Sequence, residues 1–98
     1  MPASSDVRHE ALGRAGGRWF VVVDGHECEL TYSSRASELI TLDHTGVPDA
    51  MRGRGVGAML VRRAVEDARA DGFKIVPQCS FAQAQFDRHE DWGDVLAT

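Results

Sequence analysis

The sequence predicts an α/β (α+β) fold: a mixed, largely antiparallel sheet of four to five strands carrying two helices, in one minimal domain. Three observations predict it. A run of apolar residues breaks at Asp24-Gly25 and resumes with period-two alternation, the mark of a hairpin. A second pattern, from Val56 to Ala68, repeats at helical spacing and stops at Gly72. A strand on either side of that helix requires a right-handed crossover, and so one parallel pair in an otherwise antiparallel sheet.

Residues 1–6 are small and polar and are expected to form a loose tail, leaving 7–98 as the single domain. Val7 to Leu12 reads as a weak edge strand. Trp19 to Val23 and His26 to Ser33 are the two arms of the hairpin, because Asp-Gly readily takes the positive φ of a tight turn. In the second arm Cys28, Leu30 and Tyr32 share one face, while Glu27, Glu29 and Thr31 share the other. The polar stretch Ser33 to Ser37 reads as the next turn.

Glu38 to Thr45 contains the apolar cluster Leu39 to Leu42 and is expected to be a more fully buried, central strand. Gly46-Val47-Pro48 ends it, since proline removes a ladder donor. In the following helix Val56, Leu60, Val61, Ala64, Val65 and Ala68 form the buried stripe; Arg62, Arg63, Glu66, Asp67 and Arg69 face outward. Phe73 to Cys79 is a short strand parallel to the central one. Gln83 to His89 forms a last short helix, with Phe81, Ala84 and Trp92 covering one face of the sheet.

Ninety-eight residues, 43% of them hydrophobic, suffice for one core but not for two nucleotide-binding halves. A formal charge of −4 argues against a nucleic-acid partner, which would need a basic face. Only Arg52, Arg54, Arg62 and Arg63 cluster, which suits a small polyphosphate. Trp19 to Val23, the longest apolar run, is far too short to cross a bilayer, so no membrane partner is expected either. Cys28 and Cys79 make no disulfide framework and follow no secretory signal, which points to a reducing cytoplasm. His9, His26 and His89 have no partner at metal-ligand spacing, so no metal site is expected.

Arg52-Gly53-Arg54-Gly55-Val56-Gly57-Ala58 is the stretch that carries chemistry. Glycines let main-chain N–H groups close on an anion, and the first turn of a helix adds unpaired donors and the positive end of its dipole. Arginines at a helix start oppose that dipole by up to roughly 1 kcal/mol unless an anion meets them. Gly53 to Ala58 formally satisfies the dinucleotide fingerprint G-x-G-x-x-A, but Val47 to Arg52 separate it from the strand and the next strand ends without a carboxylate. A P-loop fails because no Lys-Ser/Thr pair follows the glycines.

The spacing Arg52-x-x-Gly55-x-Gly57, set between a strand and a long helix, resembles the acyl-CoA signature of the GCN5-related N-acetyltransferases. His44-Thr45-Gly46-Val47-Pro48 and Val76-Pro77-Gln78-Cys79-Ser80-Phe81 extend the resemblance to the small single-domain branch of that superfamily. A Tyr32-bearing strand precedes them and Arg88-His89-Glu90 follows. The resemblance runs from about Trp19 to Leu96 and implies a GNAT-like form of the predicted fold. It implies acetyl-CoA as cosubstrate, with Arg52, Gly53, Arg54, Gly55, Val56, Gly57 and Ala58 at the pyrophosphate and Thr45 and Val47 pairing with the pantetheine amides. Arg62 could also reach a phosphate. The thioester would point between the two parallel strands. Larger relatives carry helices and extra strands that wall the acceptor site and that this chain lacks, which implies an open acceptor side. Ser80 stands where this branch is associated with proline.

Acetyl transfer needs a neutral amine, donors for the developing oxyanion and a proton for the departing thiolate. Cys79, at the end of the strand after the helix, is the candidate nucleophile or proton donor; the ordinary alternative is an inert buried cysteine. His44 is the nearest base, or else a hydrogen-bonded structural histidine on the face of Ile40 and Leu42. Tyr32 lines the slot or merely packs, Cys28 belongs to the core, and Met51 and Met59 fill gaps. The expected activity is N-acetyl transfer to an unidentified amine, small or protein-borne. The rival readings are a non-catalytic acyl-CoA-binding or sensing module and self-acetylation at Cys79.

Overall fold

The computed structural model describes residues 3–97. The strands are β1 (Arg8–Ala11), β2 (Gly16–Val23), β3 (His26–Ala36), β4 (Leu39–Gly46) and β5 (Lys74–Pro77), and the helices are α1 (Val56–Asp71) and α2 (Ser80–Arg88). They form one five-stranded sheet in the order β1-β2-β3-β4-β5, antiparallel throughout except for the parallel pair β4–β5. The mixed sheet and the two helices are those the hydrophobic periodicities predict. In position, however, β3 is the middle strand, and β4 lies beside the edge strand β5.

The inner face of the sheet carries Trp19, Val21 and Val23 on β2, then Cys28 and Leu30 on β3, all buried. The amphipathic stripe of α1, from Val56 to Ala68, is buried against this face. Trp19 Nε1 donates to Asp67 Oδ2 on α1 at 2.7 Å, so the largest buried side chain on β2 brings its polar atom to a partner on the helix. Asp67 also accepts from Arg63 Nε at 3.0 Å. Arg63 in turn donates to the carbonyls of Ser4 (3.0 Å) and Val7. Of the loose tail expected over residues 1–6, Met1 and Pro2 lie outside the described residues, whereas Ser4–Asp6 form a 3₁₀ turn held against α1 through Arg63. Thr98 also lies outside them.

The outer face is polar. Arg18 reaches Glu10 (3.0 Å), Glu29 (2.9 Å) and Glu27 (3.2 Å), and these carboxylates, Glu27 foremost, raise its pKa above the usual arginine value. Its guanidinium lies 4.3 Å from the Phe20 ring centroid.

Several boundaries differ from those predicted. β5 spans Lys74–Pro77 rather than Phe73 to Cys79, because the chain turns at Gln78 into α2 and leaves Cys79 beyond the strand. β2 begins at Gly16 rather than Trp19, because Gly16 and Gly17 pair with Ser33 and Tyr32, an approach in which a Cβ at Gly17 would stand 2.5 Å from the Glu10 carbonyl and 2.7 Å from Tyr32 Oη. β3 runs through the polar segment expected to turn and reaches Ala36, helped by a bulge between Ser34 and Ala36. α2 starts at Ser80 rather than Gln83 and buries Ala82, Gln85 and Phe86, with Trp92 close behind; Phe81 and Ala84, expected on the covered face, are exposed.

Replacing Asp67 by alanine leaves the buried Trp19 N–H without its acceptor and Arg63 without its ion-pair partner. The expected loss is about 1–3 kcal/mol of folding stability, read from the urea midpoint at constant m.

Candidate functional site

The site begins where β4 and β5 part. The ladder runs from Leu39↔Lys74 to Leu42↔Pro77 and stops there. Pro77 has no N–H to donate, the Gln78 amide turns back to the Val76 carbonyl (3.0 Å), and the Leu42 carbonyl takes the Cys79 amide instead (3.2 Å). The chain then leaves the sheet as α2. β4 runs on to Gly46, paired with β3 on one side only. From Asp43 onward its other edge faces a gap.

A bulge reorients the side chains at this gap. Tyr32 pairs with Leu42, and the adjacent Thr31 pairs with His44, so Asp43 is an extra residue on β4. The alternation therefore flips. Thr45, opposite Leu30, takes the inner face of Leu42, and His44, opposite Thr31, is turned to the outer face. His44 is exposed, and its carbonyl accepts from Thr31 Oγ1 at 3.3 Å. This corrects its expected place on the face of Ile40 and Leu42. Thr45 Oγ1, not His44, approaches Cys79 Sγ, at 3.7 Å. Cys79 is half-buried and free, at the N-cap position of α2. Cys28 is also free but buried, and burial pushes its thiol pKa up, in keeping with a core role.

A groove of about 640 Å³ runs from this gap to the start of α1, lined by Thr45, Val47, Met51, the residues from Arg52 to Ala58 other than Arg54, and Ser80, Phe81, Gln85 and Arg88. Among the described residues, none of the main-chain N–H groups of residues 53 to 58 makes a well-formed hydrogen bond to the protein, although Arg52 to Gly55 form a turn; the first helical amide to make one is Met59, which donates to the Gly55 carbonyl at 3.1 Å. Gly55 is the N-cap residue of α1 at φ 77°, a left-handed conformation that lets the loop enter the helix without an obstructing side chain. Gly57 has a different reason. A Cβ there would stand 2.7 Å from Phe81 Cζ, so this glycine lets α2 approach the first turn of α1.

The arginines are placed unevenly. Arg52 pairs with Asp49 (3.0 Å) and Arg54 with Asp24 (2.8 Å), so the protein's own carboxylates meet the two cations that flank the glycines. Arg62 lies 5.7 Å from the Trp92 ring and borders a neighbouring depression beside Ser4 and His89 rather than the groove itself. Arg88 does line the groove. Together with Phe81 and Gln85 it was missed by the sequence reading, although the spacing 81, 85, 88 puts these residues on one face of a helix. Tyr32 lies outside the groove, packed on His9 and Trp19. No three His, Cys, Asp or Glu side chains converge on a possible metal position among the described residues.

The glycine loop at the start of α1 opens into a slot between the splayed parallel strands of an α/β fold. Residues 18–95 match the family model of the GCN5-related N-acetyltransferases. The solution structure of a GCN5-like candidate N-acetyltransferase from Staphylococcus aureus is similar to this chain at TM-score 0.70 and 30% identity, over 95% of this chain and 90% of that one. The chain belongs to the GCN5-related N-acetyltransferase family.

Gly57→Ala is expected to change stability by no more than about 1 kcal/mol, because the Phe81 ring that it meets is exposed and can swing aside while alanine gains helix propensity. A double-mutant cycle with Phe81→Ala in chemical denaturation measures the coupling between the two positions.

Proposed function

We propose that this protein is an acetyl-CoA-dependent N-acetyltransferase acting in the cytoplasm on an amine, carried by a small molecule or exposed on a protein. The observation that carries the reading is the set of unaccepted N–H groups of residues 53 to 58 at one end of a groove whose other end is the unpaired edge of β4 beside Cys79. Those amides and the dipole of α1 would receive the pyrophosphate of CoA, with Arg88 facing it from α2. Arg52 and Arg54 add positive charge once they turn from Asp49 and Asp24.

Thr45 and Val47 would pair with the pantetheine amides as a short added strand, in the way an exposed sheet edge takes an extended peptide. The buried Gln85 side chain borders the same path and supplies a further amide. Acetyl-CoA supplies the activated acyl group as a thioester. The neutral amine attacks its carbonyl carbon, the C–N bond forms, the C–S bond breaks, and the proton lost by the amine passes to solvent. Cys79, held beside Thr45, donates a proton to the departing thiolate and is reprotonated from solvent. The formal charge of −4 favours a cationic acceptor over nucleic acid. No helix among the described residues is long and apolar enough to cross a membrane.

A second reading, an acyl-CoA-binding or sensing module, draws support from the place of His44, which is turned away from the Thr45–Cys79 contact. Turnover separates the two.

Acetyl-CoA at about one hundred times its Kd should raise the melting temperature by more than about 10 °C, with NAD producing little change. Gly55→Val, which places a β-branched side chain at φ 77°, is expected to remove that shift while the far-UV spectrum is kept. Free CoA release with a panel of amines and intact-protein mass then report on Cys79. Cys79→Ala should slow release by about one hundred-fold without changing acetyl-CoA affinity. An acetyl adduct on the parent protein that vanishes in Cys79→Ala would instead identify a covalent route, and release at the parent rate would remove Cys79 from the chemistry.

A further inference from the structure

At the opposite end of α1, about 22 Å along the helix from its first residue, a second cavity of about 170 Å³ opens between the helix and the inner face of the sheet. Its aromatic lining comes from His9, Trp19, Tyr32 and Phe73, and its carboxylates from Asp67 and Asp71. The rings are held in a cluster: Trp19 and Tyr32 centroids lie 4.8 Å apart and inclined at 40°, and His9 stacks on Tyr32 at 5.6 Å. Gly17, where a Cβ would strike the tip of Tyr32, keeps that ring laid across β2.

The hydrogen-bonding capacity of these groups is already used in a way that selects the ligand. Trp19 Nε1 donates to Asp67, Asp67 also holds Arg63, and Tyr32 Oη shares a 2.7 Å hydrogen bond with His9 Nε2. Asp71 forms no ion pair among the described residues, and no lysine or arginine borders the cavity. What is left to a visitor is the accessible ring surface of His9, Tyr32 and Phe73, with Trp19 buried behind them, and one uncompensated carboxylate, a pairing that favours a cation over an anion. Only Ser34 and Ser37 supply free hydroxyls. A guest that needs many hydrogen bonds is therefore poorly served, whereas a methylated or otherwise alkylated ammonium, whose charge is spread over carbon, is well served.

We infer that this cavity is a binding site for a small alkylammonium group, separate from the groove at the other end of α1. The group is either a free organic cation or the methylated amine of a protein side chain; the chemistry recognised is the same. The site does not depend on the transferase reading, since it shares no residue with the groove.

The test is an amide and indole NMR titration of the full chain with tetramethylammonium chloride. Controls are sodium chloride at equal ionic strength and tert-butyl alcohol as a neutral molecule of similar shape. The expected result is a saturable shift of the Trp19 indole N–H and of amides near residues 34–37 and 71–73, absent with both controls. Asp71→Asn, at an exposed position, should weaken binding up to about five-fold. Tyr32→Phe, which keeps the ring, should retain binding, and Tyr32→Leu, which removes it, should lose it. A peptide carrying trimethyllysine that binds more tightly than tetramethylammonium, and more tightly than its unmethylated form, identifies a protein-borne source; equal affinity identifies the free cation. Shifts that stay linear, that tert-butyl alcohol reproduces, or that survive both Asp71→Asn and Tyr32→Leu overturn the inference.

Discussion

Everything distinctive about this molecule follows from the inability of β5 to accompany β4 beyond Leu42. Pro77 has no amide hydrogen to give, so the parallel ladder ends at its position and the Cys79 amide makes the last crossing bond. A strand buried inside a sheet normally has both edges satisfied; β4 keeps one edge open from Asp43 onward. That open edge is the floor of the groove, and the bulge at Asp43 decides which side chains stand over it.

The second source of unmet hydrogen bonding is the first turn of α1. Helix starts leave orphan N–H groups as a matter of geometry, and proteins usually cover them with a Ser, Thr, Asp or Asn side chain. Here the N-cap is Gly55, which has no side chain to offer, and the preceding loop supplies no substitute. Free donors on the helix and a free edge on β4 meet in one groove, and Cys79 stands where the strands separate. The far end of α1 is different in kind: Asp67 is spent on Trp19 and Arg63, and ring surface and the Asp71 carboxylate remain.

Much of this was legible in the residues. The Asp24-Gly25 hairpin, the stripe from Val56 to Ala68 and the Gly72 stop depend on local conformational preference and periodicity, which act over a few residues and appear directly in the chain. The glycine loop was legible as the entry to the helix for the same reason, although Gly57 proves to serve the contact with Phe81. The extension of β3 through Ser33 to Ala36 was not legible, because polar residues there are stabilised by pairing with β4 rather than by their own propensity. The early start of α2 was missed because Ser80 to Ala82 carry no periodic signal of their own.

The sequence by itself determined the fold class, the order of its elements and the location of the glycine loop before α1, since each rests on interactions between near neighbours. Only the tertiary structure decided that His44 faces outward while Thr45 meets Cys79, because one inserted residue reverses every side chain beyond it and its presence is defined by the partner strand. Tertiary structure also decided that Asp24 and Asp49 neutralise the loop arginines and that Arg88 reaches the groove. The Asp24 and Arg88 placements join segments distant in the chain, and their geometry exists only once the sheet has brought them together.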